Sequence, residues 1–107
     1  MSVIYKYPME ITDFQEIEMP EGAEILCVQT ADLPYGHDWV SGPTLWAMVD
    51  PDKPLKPRRF YVFGTGKPMK YEHKLKYIGT TQQNNGALVW HIFENVIEMF
   101  DDKLFEV

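Results

Sequence analysis

Turn-forming residues recur along most of this chain every 8–15 residues or so, and the runs between them are short, aromatic and β-branched. Pro8, Pro20-Glu21-Gly22, Gly42-Pro43, Gly64-Thr65-Gly66 and Asn84-Asn85-Gly86 each end or separate such runs. Pro51, Pro54 and Pro57 fall within seven residues. Helix is excluded there, because proline lacks an N–H and clashes with the preceding turn. A parallel α/β sheet needs a helix between successive strands, and this punctuation leaves no room for one. The expected fold is therefore mainly β, a single-domain antiparallel sandwich or small barrel of six to seven short strands. A length of 107 residues suits one core. Residues 1–107 are read as one domain, with a β core over 1–94 and a tail over 95–107.

Val3 to Tyr7 reads as a first strand ended by Pro8, and Ile11 to Met19 as a loosely alternating second. Glu24 to Thr30 has a continuous apolar centre, which predicts a strand inside its sheet. Residues 31–43 hold two glycines and two prolines and are expected to form a loop, with Tyr35 or Trp39 exposed at its tip. Thr44 to Val49 places Leu45, Ala47 and Val49 on one face and Trp46 and Met48 on the other. Arg58 to Phe63 is the clearest β signal, stopped by Gly64. Lys76 to Gln82 and Ala87 to Phe93 flank Asn84-Asn85-Gly86, which marks a hairpin. From Asn95 onward, Val96, Ile97, Phe100 and Leu104 recur at helical spacing. They predict a short C-terminal helix on the sheet, with Asn95 as its N-cap.

The net charge of -6 is unevenly spread. Residues 51–79 hold eight of the ten basic residues and stand at +6, whereas residues 1–32, 33–50 and 80–107 stand at -6, -2 and -4. The basic middle either pairs with acidic neighbouring strands or forms a positive site for an anionic ligand or acidic partner. An acidic whole disfavours duplex nucleic acid. No stretch approaches the roughly 18 apolar residues of a membrane helix, and the first residues lack the pattern of a secretory signal. The lone Cys27, within Ile25-Leu26-Cys27-Val28, is expected to be a buried thiol in a reducing compartment.

No motif for catalysis emerges. Gly64-Thr65-Gly66-Lys67 suggests a phosphate loop, but the full pattern needs glycine where Tyr61 stands and serine or threonine where Pro68 stands. A tight turn is the expectation, with some anion affinity. Ser41 lacks the glycine of a nucleophile elbow, since Trp39 occupies that position. His37, His73 and His91 are too far apart to show a metal-site spacing. His91, in Leu88-Val89-Trp90-His91-Ile92-Phe93, is read as a hydrogen-bonded strand residue. No catalytic residue, metal ligand or cofactor is assigned, and the chain is read as not an enzyme. Tyr5, Trp46, Phe60, Phe63 and Trp90 are expected in the core. Tyr35, Trp39, Tyr61 and Tyr71, near loops or basic residues, could stack on a ligand or anchor a partner. The candidate binding residues are Arg58, Arg59, Tyr61, Gly64, Thr65, Gly66, Lys67, Lys70 and Trp39.

The succession of Ile4-Tyr5-Lys6-Tyr7, Ile17-Glu18-Met19-Pro20-Glu21-Gly22-Ala23, Ile25-Leu26-Cys27-Val28-Gln29 and Leu45-Trp46-Ala47-Met48-Val49-Asp50-Pro51 is distinctive. Arg59-Phe60-Tyr61-Val62-Phe63-Gly64-Thr65-Gly66, Tyr77-Ile78-Gly79-Thr80 and Gly86-Ala87-Leu88-Val89-Trp90-His91-Ile92-Phe93-Glu94 follow in order. Together, over roughly residues 3–94, they resemble a family of small uncharacterised proteins encoded by tailed bacteriophages, prophages and some bacteria. The 31–43 segment and the tail after Glu94 depart from that pattern, and the tail could supply an oligomer or partner contact. The resemblance implies a phage or prophage origin and the host cytoplasm, and it carries no site residues. The leading expectation is a non-enzymatic accessory protein that binds a host protein, inhibiting a host factor or defence component. The alternative is a module for a small anionic ligand, a metabolite or nucleotide, held by Arg58, Arg59, Lys67 and Lys70 with Tyr61 or Tyr71 stacking. Exposed edge strands would also allow a homodimer.

Overall fold

The structure is a computed structural model that describes residues 1–35, 37–69 and 74–96, with backbone alone for 33–35 and 38–40. Seven strands follow in order: β1 (Val3–Pro8), β2 (Phe14–Pro20), β3 (Glu24–Tyr35), β4 (Asp38–Val49), β5 (Leu55–Gly64), β6 (Leu75–Gln83) and β7 (Leu88–Asn95). They form two antiparallel sheets packed as a sandwich, one in the order β1-β4-β3 and the other β2-β5-β7-β6.

Alternation along the strands builds most of the core. Leu45, Ala47 and Val49 of β4 are buried, as are Phe60 and Val62 of β5, Met19 of β2 and Ile92 of β7. Fully burying a side chain such as Phe60 contributes about 1.5–3 kcal/mol over leaving it in water. The turns are built as the sequence predicts. The Ala23 N–H donates to the Pro20 carbonyl at 3.0 Å, and the Asp52 N–H donates to Oδ1 of Asp50 at 3.0 Å. Between β6 and β7 a 3-10 turn spans Asn84–Gly86, with Asn84 and Asn85 at φ of 51° and 56°. Asparagine tolerates that left-handed backbone better than most residues.

Several expectations need correction. Residues 31–43 do not form an open loop: Ala31 through Tyr35 pair with Gly42 through Asp38, extending β3 and β4 into one long hairpin. The extended backbone continues through Pro34 and Pro43, and the Pro43 carbonyl accepts from the Met9 N–H at 2.9 Å. β3 is also an edge strand in its own ladder rather than an internal one. Its apolar centre is explained by the other sheet, because β6 covers that edge. At this seam Thr30 Oγ1 donates to the Gln82 carbonyl at 2.7 Å, and Gln83 Nε2 donates to the Ser41 carbonyl at 2.5 Å. Gly79 permits the approach, since a Cβ there would stand 2.6 Å from Cγ1 of Val28. A β-bulge between Ile25 and Cys27 turns Leu26 outward, and Cys27 is half-buried rather than buried. Phe60 is in the core and Trp46 and Trp90 are half-buried, but Tyr5 is 43% exposed and Phe63 faces outward. The predicted C-terminal helix lies outside the described residues beyond Val96, and Asn95 itself closes β7.

Candidate functional site

Successive residues of a strand point to opposite faces, and this separates the two arginines read from the sequence. Arg58 turns inward. Its Nε and Nη2 donate to the two carboxylate oxygens of Glu94, the latter at 2.9 Å, and its Nη1 donates to the Ala23 carbonyl at 2.8 Å. Glu94 is 5% exposed. This is a bidentate, largely desolvated pair that leaves the guanidinium little to offer a ligand. Arg59 turns outward, its Nε 3.7 Å from Oε1 of Glu16, its register partner on β2. Lys56 lies 3.8 Å from Glu21 at the same strand boundary. Among the described residues, Lys56, Arg58 and Arg59 therefore each face a carboxylate. Lys70 and Tyr71 lie outside the described residues, as do the side chains of Tyr35 and Trp39.

Tyr61, Gly64 and Lys67 are brought together. The Lys67 N–H donates to the Gly64 carbonyl at 3.1 Å, closing a turn in which Gly66 adopts φ of +88°. Beside this turn opens a groove of about 480 Å³, walled by Ile11, Val62, Phe63, Pro68 and Trp90, with Asp13 and Lys67 also on its lining. The Val62 N–H donates to the Asp13 carbonyl at 3.3 Å and pins the bend that carries Asp13. Trp90 commits its indole N–H to Oε1 of Gln83 at 2.6 Å, so its carbon edge is what approaches Gly64.

A second feature occupies the outer face of the four-stranded sheet. Phe14, Tyr61, Phe63, Phe93 and Tyr77 form a continuous band across β2, β5, β7 and β6, with neighbouring ring centroids 5.2 to 6.2 Å apart. Phe14 is 44% and Tyr77 55% exposed. Next to the band runs a chain of polar groups: Thr65 Oγ1 shares a 2.8 Å hydrogen bond with Nε2 of His91, and Thr80 Oγ1 a 3.0 Å bond with Nδ1. The Tyr77 hydroxyl completes it, 2.5 Å from Thr80 Oγ1. His91 is thus a hydrogen-bonded strand residue, as read from the sequence. The band itself was missed, although the alternation of Tyr61 with Phe63 and of His91 with Phe93 carried its signal. Deciding which face is covered requires the pairing between sheets, which alternation alone does not supply.

Among the described residues, no group of three His, Cys, Asp or Glu side chains is placed to hold a metal ion, and no helix is long and apolar enough to cross a membrane. No curated protein and no solved structure matches the chain. A family model described as a domain of unknown function, DUF7352, does match residues 1–99, nearly the full length, and the chain belongs to that family.

Proposed function

We propose that the protein is a non-enzymatic binding module that engages a protein partner through the outer face of its four-stranded sheet. The observation that carries this reading is the aromatic band from Phe14 to Tyr77. Exposed contiguous apolar surface mostly marks interaction sites, and aromatic side chains supply a large share of interface energy. The hydroxyl and imidazole groups of Thr65, His91, Thr80 and Tyr77 give the same face fixed polar contacts for specificity. The resemblance to phage and prophage proteins supports an accessory role in the host cytoplasm, with a host factor or defence component as the target. Capture of an anionic metabolite or nucleotide by the whole basic stretch has less support, because Arg58 and Arg59 are each engaged by a carboxylate.

The test is affinity capture from host lysate with wild-type protein and a Phe14→Ser, Tyr77→Ser variant. Both positions are exposed, and thermal unfolding of the two proteins checks that the variant keeps its fold. A partner retained by wild type and lost by the variant supports the reading. Equal retention by both, or no partner with either, overturns it. A shift from dimer to monomer in the variant would assign the face to a second copy of the chain instead.

A further inference from the structure

We propose that the groove beside the Gly64–Lys67 turn binds a small zwitterion with an apolar body, a free amino acid with an apolar side chain. The groove borders the aromatic band through Tyr61 and Phe63, but its charged groups, Asp13 and Lys67, lie outside that band. The groove's volume of about 480 Å³ lies within the roughly 300–1,000 Å³ of small-molecule sites. Ile11, Val62, Pro68 and Trp90 give it apolar walls, and Trp90 has its only polar atom satisfied elsewhere.

Its two charges decide the ligand. Lys67 and Asp13 line the same groove, and neither makes an ion pair among the described residues. They come from separate segments, each fixed by a backbone hydrogen bond to or within the end of β5. A ligand bearing only a carboxylate would be drawn by Lys67 and opposed by Asp13, and a simple cation would meet the reverse. A ligand carrying both an ammonium and a carboxylate is favoured by both groups. The apolar remainder then lies against the carbon edge of Trp90. Arg58 and Arg59 take no part, which separates this site from a general anion site.

The experiment is a titration followed by amide chemical shifts in the intact protein, using L-phenylalanine, N-acetyl-L-phenylalanine and L-phenylalaninamide. L-phenylalanine is expected to perturb residues 11–13, 62–68 and 90. Each blocked analogue is expected to bind about fivefold more weakly, the scale of one lost solvent-exposed ion pair. Lys67→Met should erase the preference for a free carboxylate and keep that for a free amine, and Asp13→Asn should do the converse. Both side chains are exposed, and the dispersed amide spectra of the variants check that they fold. No localised perturbation by L-phenylalanine, or equal binding of all three compounds to wild type, overturns the proposal. Tighter binding of the N-acetyl compound also overturns it, since that is an anion site. Because these variants leave the rings of the aromatic band in place, and Phe14 and Tyr77 do not line the groove, failure here is distinguishable from failure of partner capture.

Discussion

Arg58 uses three donors on three fixed acceptors, and its partner Glu94 is almost wholly removed from water. An ion pair taken out of water gains much of its Coulomb energy back only while both members are present. Removing one leaves the other charged, dry and unpaired. Arg58→Met alone is therefore expected to cost about 3–5 kcal/mol in denaturant unfolding. The double variant Arg58→Met, Glu94→Leu should recover most of that loss, because two apolar side chains of similar size need no hydrogen bonds. If the single and double variants were equally destabilised, the pair would matter for its shape and not its charge. Arg59 provides the contrast one residue away. Its contact with Glu16 is longer and more exposed, which places it among pairs worth about 0–1 kcal/mol.

At the level of strands, the sharpest constraint is the meeting of β3 with β6. A Cβ on Gly79 would sit 2.6 Å from Val28 Cγ1, closer than side chains tolerate. Gly79→Ala is expected to destabilise by about 1–3 kcal/mol, the usual range for overpacking a tight interior. Adding Val28→Ala removes the clashing methyl group, so the double variant should be more stable than the sum of the two single effects. Strict additivity in thermal unfolding would show that the seam is looser than its geometry. The same seam shows what the sequence could and could not reveal. Alternation over Thr44–Val49 and Arg58–Phe63 and the Asn84-Asn85-Gly86 turn are local signals, and strands and hairpin formed where they pointed. The glycine and proline content of 31–43 was equally local but misleading, because a ladder with a neighbouring strand overrode it. Of the candidate site, Tyr61, Gly64 and Lys67 were legible because one short stretch of chain holds them all. Asp13, Trp90 and the aromatic band were not, since their neighbours come from strands distant in sequence.

For the molecule as a whole, the two sheets are joined unequally. On one side β3 and β6 are linked across the sandwich, whereas among the described residues β1 and β2 end their sheets without a ladder partner beyond them. Gln83 is the residue through which that linked side reaches the candidate groove. Its Nε2 donates to the Ser41 carbonyl in the three-stranded sheet, and its Oε1 accepts the indole N–H of Trp90, which walls the groove. One amide side chain thus ties the packing of the two sheets to the orientation of the groove's largest ring. Replacing it with leucine keeps the volume but leaves the Trp90 N–H and the Ser41 carbonyl without their partner. A fully buried polar group that loses its hydrogen bond costs about 1–3 kcal/mol, and a half-buried one that water can reach costs less. Gln83→Leu is therefore expected to lower the unfolding free energy by about 1–3 kcal/mol, two reduced losses in partly hydrated positions. It should also shift the indole N–H resonance of Trp90 and weaken L-phenylalanine binding, while partner capture by the outer aromatic face stays unchanged. A variant with lower stability but an unmoved Trp90 resonance and unaltered groove affinity would confine Gln83 to joining the sheets, and would separate the sandwich's cohesion from the shape of its groove.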